Sequence, residues 1–332
     1  MSVKAVYLLP EQTMHLIYGP SEQRDIAARV QFAAPRLDAQ AYLEWRGKLD
    51  DVEVIFSGWG MPTMDQAFFD VFPALKIVFY GAGAVSSFMT DLAWARDVLV
   101  TNANVANGVS VAEYTVAQIF LCLKQVWRQA ERVKQLRQFS AARLPVTGAY
   151  GATVGIVSLG AIGCMVATRL HASDLRLIAS DPFTPPKLAR RLHVKLVSLD
   201  ELFAQADVIT CHTPWLPETE GLLHAGHFQR MKTGASFINT ARGAVVNEAD
   251  LIAVLRERAD LLAVLDVTYP EPPAPDSALY DLPNVVLTPH IAGSLNDECR
   301  RMGRAMVEEL DRWLRNEGLK YRVSQAYARA RA

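Results

Sequence analysis

Three side chains able to handle protons and anions follow apolar runs in the second half of the chain. Arg242 follows "ASFINTA", Glu271 follows "LAVLDVTYP" and His290 follows "NVVLTP". An imidazole changes charge near neutral pH and so can give or take a proton. A carboxylate within hydrogen-bond reach favours the charged imidazole, and a guanidinium fork can hold an oxyanion through parallel N–H groups. A histidine after an apolar run is as readily a hydrogen-bonded structural residue, so "VVLTPHIAG" by itself leaves both readings open. Ligands of parallel α/β sheets bind beyond the carboxyl ends of the strands, where Arg242, Glu271 and His290 could converge on one crevice.

A second set suits a phosphate-bearing ligand. In "TVGIVSLGAIGCMVATRLHASDLRLIASDP" a strand meets Ser158-Leu159-Gly160-Ala161-Ile162-Gly163, a helix follows, and a second strand ends in Asp181. This is the order of a βαβ dinucleotide site, with the pyrophosphate on the helix N-terminus. Ser158 replaces the first glycine of G-x-G-x-x-G, and a serine forced into the left-handed region costs about 1–2 kcal/mol. Asp181 stands where an acid would bond both hydroxyls of the adenosine ribose and repel a 2′-phosphate. The expected cofactor is NAD rather than NADP.

These residues need elements to position them. A chain of 332 residues suggests two domains. With 51% hydrophobic and 21% charged residues it has a globular composition, and 34 basic against 35 acidic side chains leave a net charge of -1. Nothing there favours nucleic acid. Cys122, Cys164, Cys211 and Cys299 are scattered without metal-ligand spacing, so no metal is expected and the thiols read as reduced, in a cytoplasmic protein. The start, "MSVKAVYLLPEQ", is too short in its apolar run for a secretory signal, and no membrane span is expected.

Ten apolar, non-alternating runs read as strands covered on both faces: "VKAVYLL", "VEVIFSG", "KIVFYGAG" and "DVLVTNA", then "TVGIVSLG", "LRLIASD", "ADVITCHTP", "ASFINTARG", "LAVLDVTYP" and "NVVLTPH". Two such series imply two parallel sheets in an α/β fold. Residues 109–138 read as a helix whose apolar first half is buried between domains or subunits. A last helix places Met302, Met306, Leu310 and Trp313 near one face and stops at Gly318, and the tail "SQAYARARA" is expected to fray.

The segments "VGIVSLGAIG", "ADVITCHTPWLPETEGLL", "FQRMKTGASFINTARGAVVNEADL", "LDVTYPEPP" and "LPNVVLTPHIAG" resemble, in order and spacing, the D-isomer-specific 2-hydroxyacid dehydrogenase family over roughly residues 75–295. The resemblance implies two Rossmann-like, doubly wound parallel-sheet domains with a cleft between them. Residues 1–103 and 293–332 would form a discontinuous substrate-binding domain and 104–292 the NAD-binding domain, through which the family dimerises. By the same resemblance Arg242 holds the substrate carboxylate and polarises the keto group. His290 is the proton donor and acceptor, and Glu271 keeps its imidazole charged. Ser158 to Gly163, Asp181, His212, Thr213, Pro214, Thr240, Ala241, Arg242, Asp266, His290 and Gly293 would line the cofactor.

The substrate carboxylate would lie on the loop Gly81-Ala82-Gly83, with Trp59 and Tyr80 beside the substrate side chain and Arg242 and His290 at the reacting carbon. Ser86-Ser87 stand where many relatives carry Asp-Asn. His15, His171, His193, His224 and His227 lack partner motifs and read as solvated or structural, as does the pair Arg190-Arg191. The implied reaction interconverts a 2-ketoacid and a D-2-hydroxyacid, of glyoxylate or hydroxypyruvate type or bulkier. Two alternatives share the fold: an NAD-sensing corepressor-like binding protein, which has no need of Arg242, Glu271 and His290 together, and a dehydrogenase of another acid such as phosphite.

Overall fold

The computed structural model describes residues 2–139, 141 and 143–329, and the chain divides into two compact units, residues 1–107 with 294–332, and residues 108–293.

The first unit is a five-stranded, wholly parallel sheet. Its strands are β1 (Lys4–Tyr7), β2 (Gln31–Phe32), β3 (Val54–Ser57), β4 (Ile77–Tyr80) and β5 (Leu99–Asn102), in the order β2-β1-β3-β4-β5. Alternate residues of each strand feed two cores. Val6, Ile55, Val78 and Val100 face one, and Ala5, Val54, Phe56, Ile77 and Phe79 the other. Burial on both faces is why these strands read as continuous apolar runs. The helix Arg300–Leu314 closes the second core with Met302, Met306 and Leu310, and Trp313 packs at its margin. The order reverses between β1 and β3, which makes the crevice beyond their carboxyl ends the ligand position of such a sheet.

The second unit holds seven parallel strands: β6 (Thr153–Val157), β7 (Arg176–Ser180), β8 (Lys195–Leu196), β9 (Val208–Cys211), β10 (Ser236–Asn239), β11 (Leu262–Leu265) and β12 (Val285–Leu287). Their order is β12-β11-β10-β9-β6-β7-β8, and its reversal lies between β6 and β9. Pairing of Asn239 with Leu265, and of Leu265 with Leu287, aligns the carboxyl ends of β10, β11 and β12. The chain leaving each carries Arg242, Glu271 and His290 in turn.

Two expectations change. The single helix over residues 109–138 is two helices, Asn104–Leu123 and Val126–Leu136, broken at Gln125, which takes φ 55° in the left-handed region. Within the apolar half, Ala112, Ile119, Cys122 and Leu123 pack with Val154, Ile156, Ile238 and Val264 in this unit's own core. An 18-residue window of this 20-residue helix has a mean hydropathy of 1.2, long and apolar enough on composition alone to cross a membrane, and half of that window is buried by protein. The tail forms a short helix, Gln325–Arg329, in place of the expected fraying, and residues 330–332 lie outside the described residues.

Candidate active site

His290 is held in an unusual backbone conformation. Its φ is 54°, left-handed for a residue with a Cβ. Its amide donates to the carbonyls of Asp266 and Thr288, both at 3.0 Å. The loop around it hangs on the buried Asp266 carboxylate. One oxygen accepts the Thr288 hydroxyl at 2.6 Å and the Ile291 amide at 2.9 Å, and the other accepts the Ala292 amide at 2.8 Å. The Thr288 hydroxyl also meets that of Tyr114, on the helix Asn104–Leu123, at 2.9 Å. Asp266, read from the sequence as a cofactor contact, therefore spends its carboxylate on the histidine's loop.

On the exposed side of that loop, Nδ1 of His290 lies 2.6 Å from Oε1 of Glu271. Engagement of Nδ1 leaves Nε2 as the ring nitrogen free to meet a reacting atom. Arg242 lies on the adjacent strand end, with Nη1 donating to the Ala241 carbonyl at 2.7 Å. Surrounding protein draws its pKa below the ordinary value and the Glu271 charge opposes this, while the side chain keeps open surface. A guanidinium starting that high stays charged at neutral pH.

Gly243, not singled out in the sequence, is what lets these loops meet. A Cβ there would lie 2.0 Å from the carbonyl carbon and oxygen of Thr268, so the Arg242 segment rests directly on the backbone leading to Glu271. Glycine follows arginine in "NTARG", but only the packing reveals its role.

The glycine loop is built as a phosphate cradle. Ser158 takes φ 74°, the left-handed conformation that the fingerprint's first glycine serves, and its hydroxyl bonds that of Thr213 at 2.9 Å. The strain of a non-glycine residue there is thus offset by a hydrogen bond to the loop after β9. Gly160 caps the helix Ala161–Leu170 without a side-chain bond, and the space where its Cβ would stand is open to 4 Å. A Cβ on Gly163 would lie 2.2 Å from the Ser158 carbonyl oxygen, so helix and loop pack as closely as the motif requires. The amides of Ala161, Ile162 and Gly163 are first-turn donors with no intrahelical acceptor. Asp181 follows β7 with one oxygen accepting the Leu159 amide and the other the Phe183 amide, both at 2.8 Å, which fixes the carboxylate beside the loop. Open space at Gly160, first-turn amides and a fixed acid together fit a dinucleotide.

His212 sits beneath this loop, buried, with Nε2 3.1 Å from the Thr210 hydroxyl and Nδ1 without a hydrogen-bond partner. Burial pulls its pKa down to about 3, so the ring is neutral. The carbonyl of Pro214 accepts the Thr219 hydroxyl at 2.6 Å. Thr240 pairs its hydroxyl with that of Thr115 at 3.2 Å, and the Ala241 amide donates to the Asn239 side chain at 3.0 Å. Gly293 is the last residue of this unit.

In the other unit the expected substrate residues separate. Trp59 is 40% exposed at the end of β3. Tyr80 is a core residue instead: it is 4% exposed, its ring packs 4.6 Å from Phe88, and burial pushes its hydroxyl pKa up to about 12. Gly81 is also committed, since its amide donates to the Ser57 carbonyl at 2.8 Å and a Cβ would meet Ile17 at 2.6 Å. Ala82 is buried and its carbonyl accepts the Ala103 amide at 2.8 Å, which leaves Gly83, half-exposed, as the open part of the loop.

Residues 116–292 match the family model described as D-isomer specific 2-hydroxyacid dehydrogenase, NAD binding domain. D-3-phosphoglycerate dehydrogenase of Archaeoglobus fulgidus is 36% identical over 236 residues, 71% of this chain and 45% of that protein. The chain thus spans about half the length of the curated relatives it matches. Among solved structures, the TT0316 protein from Thermus thermophilus is 28% identical with a TM-score of 0.74, covering 97% of this chain and 100% of that one. Apo D-mandelate dehydrogenase of Rhodotorula graminis, 22% identical with a TM-score of 0.83 over 97% of this chain and 98% of that one, shares the fold. With its glycine loop, its acid after β7 and the family model over more than half its length, the chain belongs to the NAD-dependent D-isomer specific 2-hydroxyacid dehydrogenase family.

Proposed function

We propose that this chain interconverts a 2-ketoacid and a D-2-hydroxyacid using NAD in preference to NADP. The observation that carries the reading is the 2.6 Å pairing of His290 Nδ1 with Glu271 Oε1, on a loop clamped by Asp266. When bound, the dinucleotide supplies or accepts the hydride at the substrate's C2. Nε2 of His290 gives the proton to the carbonyl oxygen in reduction and takes it back in oxidation, a contribution commonly of about 10²–10⁴-fold. The Glu271 carboxylate orients the ring and stabilises the imidazolium that oxidation leaves behind. Arg242 holds the substrate carboxylate by charged hydrogen bonds, each contributing about 1.5–3 kcal/mol.

The amides of Ala161, Ile162 and Gly163 face the pyrophosphate, and Asp181 takes the ribose hydroxyls, where a 2′-phosphate would meet a like charge. Asp181→Ala should raise turnover with NADPH relative to NADH, and wild-type preference for NADPH would exclude this assignment. His290→Ala should abolish turnover while leaving NADH binding, followed by nicotinamide fluorescence, unchanged. Glu271→Gln should fall between that variant and wild type. Full activity of His290→Ala across a ketoacid panel would refute the reading.

The same resemblance supports a homodimer through the cofactor unit. There Trp127, Leu136, Phe139, Val146 and Tyr150 are exposed apolar side chains on and after the helix Val126–Leu136. Light scattering reads this directly, with a mass near 36.7 kDa speaking against it.

A further inference from the structure

A chain of hydrogen bonds runs from the His290 loop to the surface of the same unit. It starts at Asp266, whose Oδ1 accepts both the Thr288 hydroxyl at 2.6 Å and the Ile291 amide at 2.9 Å. A carboxylate donates nothing, so the single hydroxyl hydrogen of Thr288 is spent on it. The 2.9 Å contact between the Thr288 and Tyr114 hydroxyls then takes its hydrogen from Tyr114. With that hydrogen committed, Tyr114 can only accept in its bond with Gln118, one helical turn on, which donates through its NH₂ group. The Gln118 carbonyl accepts the indole N–H of Trp127 at 3.2 Å. Every hydrogen along Trp127, Gln118, Tyr114 and Thr288 therefore points toward one buried anion, and bonds donated in one direction strengthen one another.

The middle of this chain is shielded from water. Gln118 is 6% exposed, and burial pushes the Tyr114 hydroxyl above its ordinary pKa, so at neutral pH it keeps the proton it gives to Thr288. Trp127, 36% exposed, is the end that reaches solvent. Its helix is pinned on both sides of the indole. Gln125 donates to the Gly234 carbonyl at 2.9 Å, and Arg128 donates to the carbonyls of Asp260 at 2.7 Å and Leu261 at 3.0 Å, just ahead of β11. Asp266 follows β11, so this helix holds one end of the strand directly and the other through the chain.

His290 lies between Thr288 and Ile291, two of the groups that Asp266 holds. Its φ of 54° is a conformation that persists only where the surroundings overdetermine it. Loss of the Thr288 bond would free a lone pair on Oδ1 and let the carboxylate turn, and the loop that carries the imidazole would turn with it.

We propose that Tyr114 and Gln118 are positioning residues for His290, acting through Thr288 and Asp266, and that the indole of Trp127 is the surface end of the same device. This rests on the dehydrogenase reading above and deepens it, by assigning what holds the proton donor from outside its own loop.

Kinetics and NMR of the full chain test it together. Tyr114→Phe keeps the ring and removes the hydroxyl, and Thr288→Val keeps the branched shape and removes the link. On whichever of glyoxylate, hydroxypyruvate and phenylpyruvate the wild type reduces fastest, kcat should fall about 3- to 10-fold in the first and at least about 10-fold in the second. The Kd for NADH should stay within about 2-fold of wild type in both. Trp127→Phe should lower kcat about 2-fold in the wild-type chain and not at all in Tyr114→Phe, where the chain is already cut. A readout free of turnover comes from labelled tryptophan and histidine, with signals assigned by their loss in Trp127→Phe and His290→Ala. Thr288→Val should shift the Trp127 indole N–H resonance, three hydrogen bonds away, and Trp127→Phe should shift the His290 ring resonance. If Thr288→Val fails to fold, Tyr114→Phe makes the same test of the indole across two bonds. Unchanged kcat in Tyr114→Phe, additive losses in the double variant, or resonances unmoved by change at the other end would each overturn the proposal. A wild type that reduces no ketoacid, with both resonances moving as expected, removes the dehydrogenase reading and leaves the chain standing.

Discussion

The Asp266 carboxylate accepts the Thr288 hydroxyl at 2.6 Å from one side of His290 and the Ile291 and Ala292 amides from the other, so the loop that carries the imidazole closes around a buried anion. Asp266→Asn keeps the size but offers one acceptor oxygen to three donors and turns an NH₂ toward one of them. A hydrogen bond to a charged group contributes about 1.5–3 kcal/mol, so denaturant unfolding should show a loss of at least that order. The kcat should fall more than NADH affinity does. Unchanged stability would mean that the loop is held by its other contacts.

Gly243→Ala places a methyl group 2.0 Å from the Thr268 backbone. Overpacking of this kind costs about 1–3 kcal/mol, and relief requires the Arg242 and Glu271 loops to part. Turnover should drop together with thermal stability, and a crystal structure of the variant should show Arg242 displaced. An active variant of wild-type melting temperature would contradict the close approach.

Ser158 combines a strained φ with a hydroxyl bond to Thr213. Ser158→Gly removes the strain together with the bond, whereas Ser158→Ala keeps the strain and loses the bond. The alanine variant should therefore be the less stable of the two, by about 1–2 kcal/mol. A thermal-shift ranking with glycine below alanine would show that the left-handed φ at this position carries no strain to relieve.

His212 carries a pH dependence of defined sign. Burial depresses its folded-state pKa from the ordinary 6.5 to about 3, so the unfolded chain takes up a proton that the folded chain refuses. Its contribution is fully present above pH 6.5 and is lost as pH falls through that value toward about 3. His227, also lowered chiefly by burial, acts in the same direction. His212→Gln should flatten the fall in unfolding free energy between about pH 6.5 and 4, a difference on the order of a few kcal/mol. An unchanged slope would place the acid sensitivity elsewhere.

The strands most readily seen in the sequence are those buried on both faces. All ten apolar runs are strands, whereas β2 (Gln31–Phe32) and β8 (Lys195–Leu196) escape a sequence reading, because two residues at a sheet edge carry no periodic signal. The break at Gln125 has no glycine or proline to announce it. At the site, residue types point to Arg242, Glu271 and His290, since each role needs a particular ionisable group. What holds them in place is hidden, because it lies in close backbone approach at Gly243 and in where the Asp266 oxygens turn. Tyr80 misleads for the reverse reason: an aromatic at a strand end looks the same in sequence whether it faces outward or, as here, into the core.

The proton-handling pair and Trp59 belong to different sheets, built from different stretches of chain. The seven residues that follow β3 can therefore be exchanged without touching the strands and cores that carry the imidazole and its acid. Sequence change in one sheet's loops thus leaves the framework of the other as it was inherited.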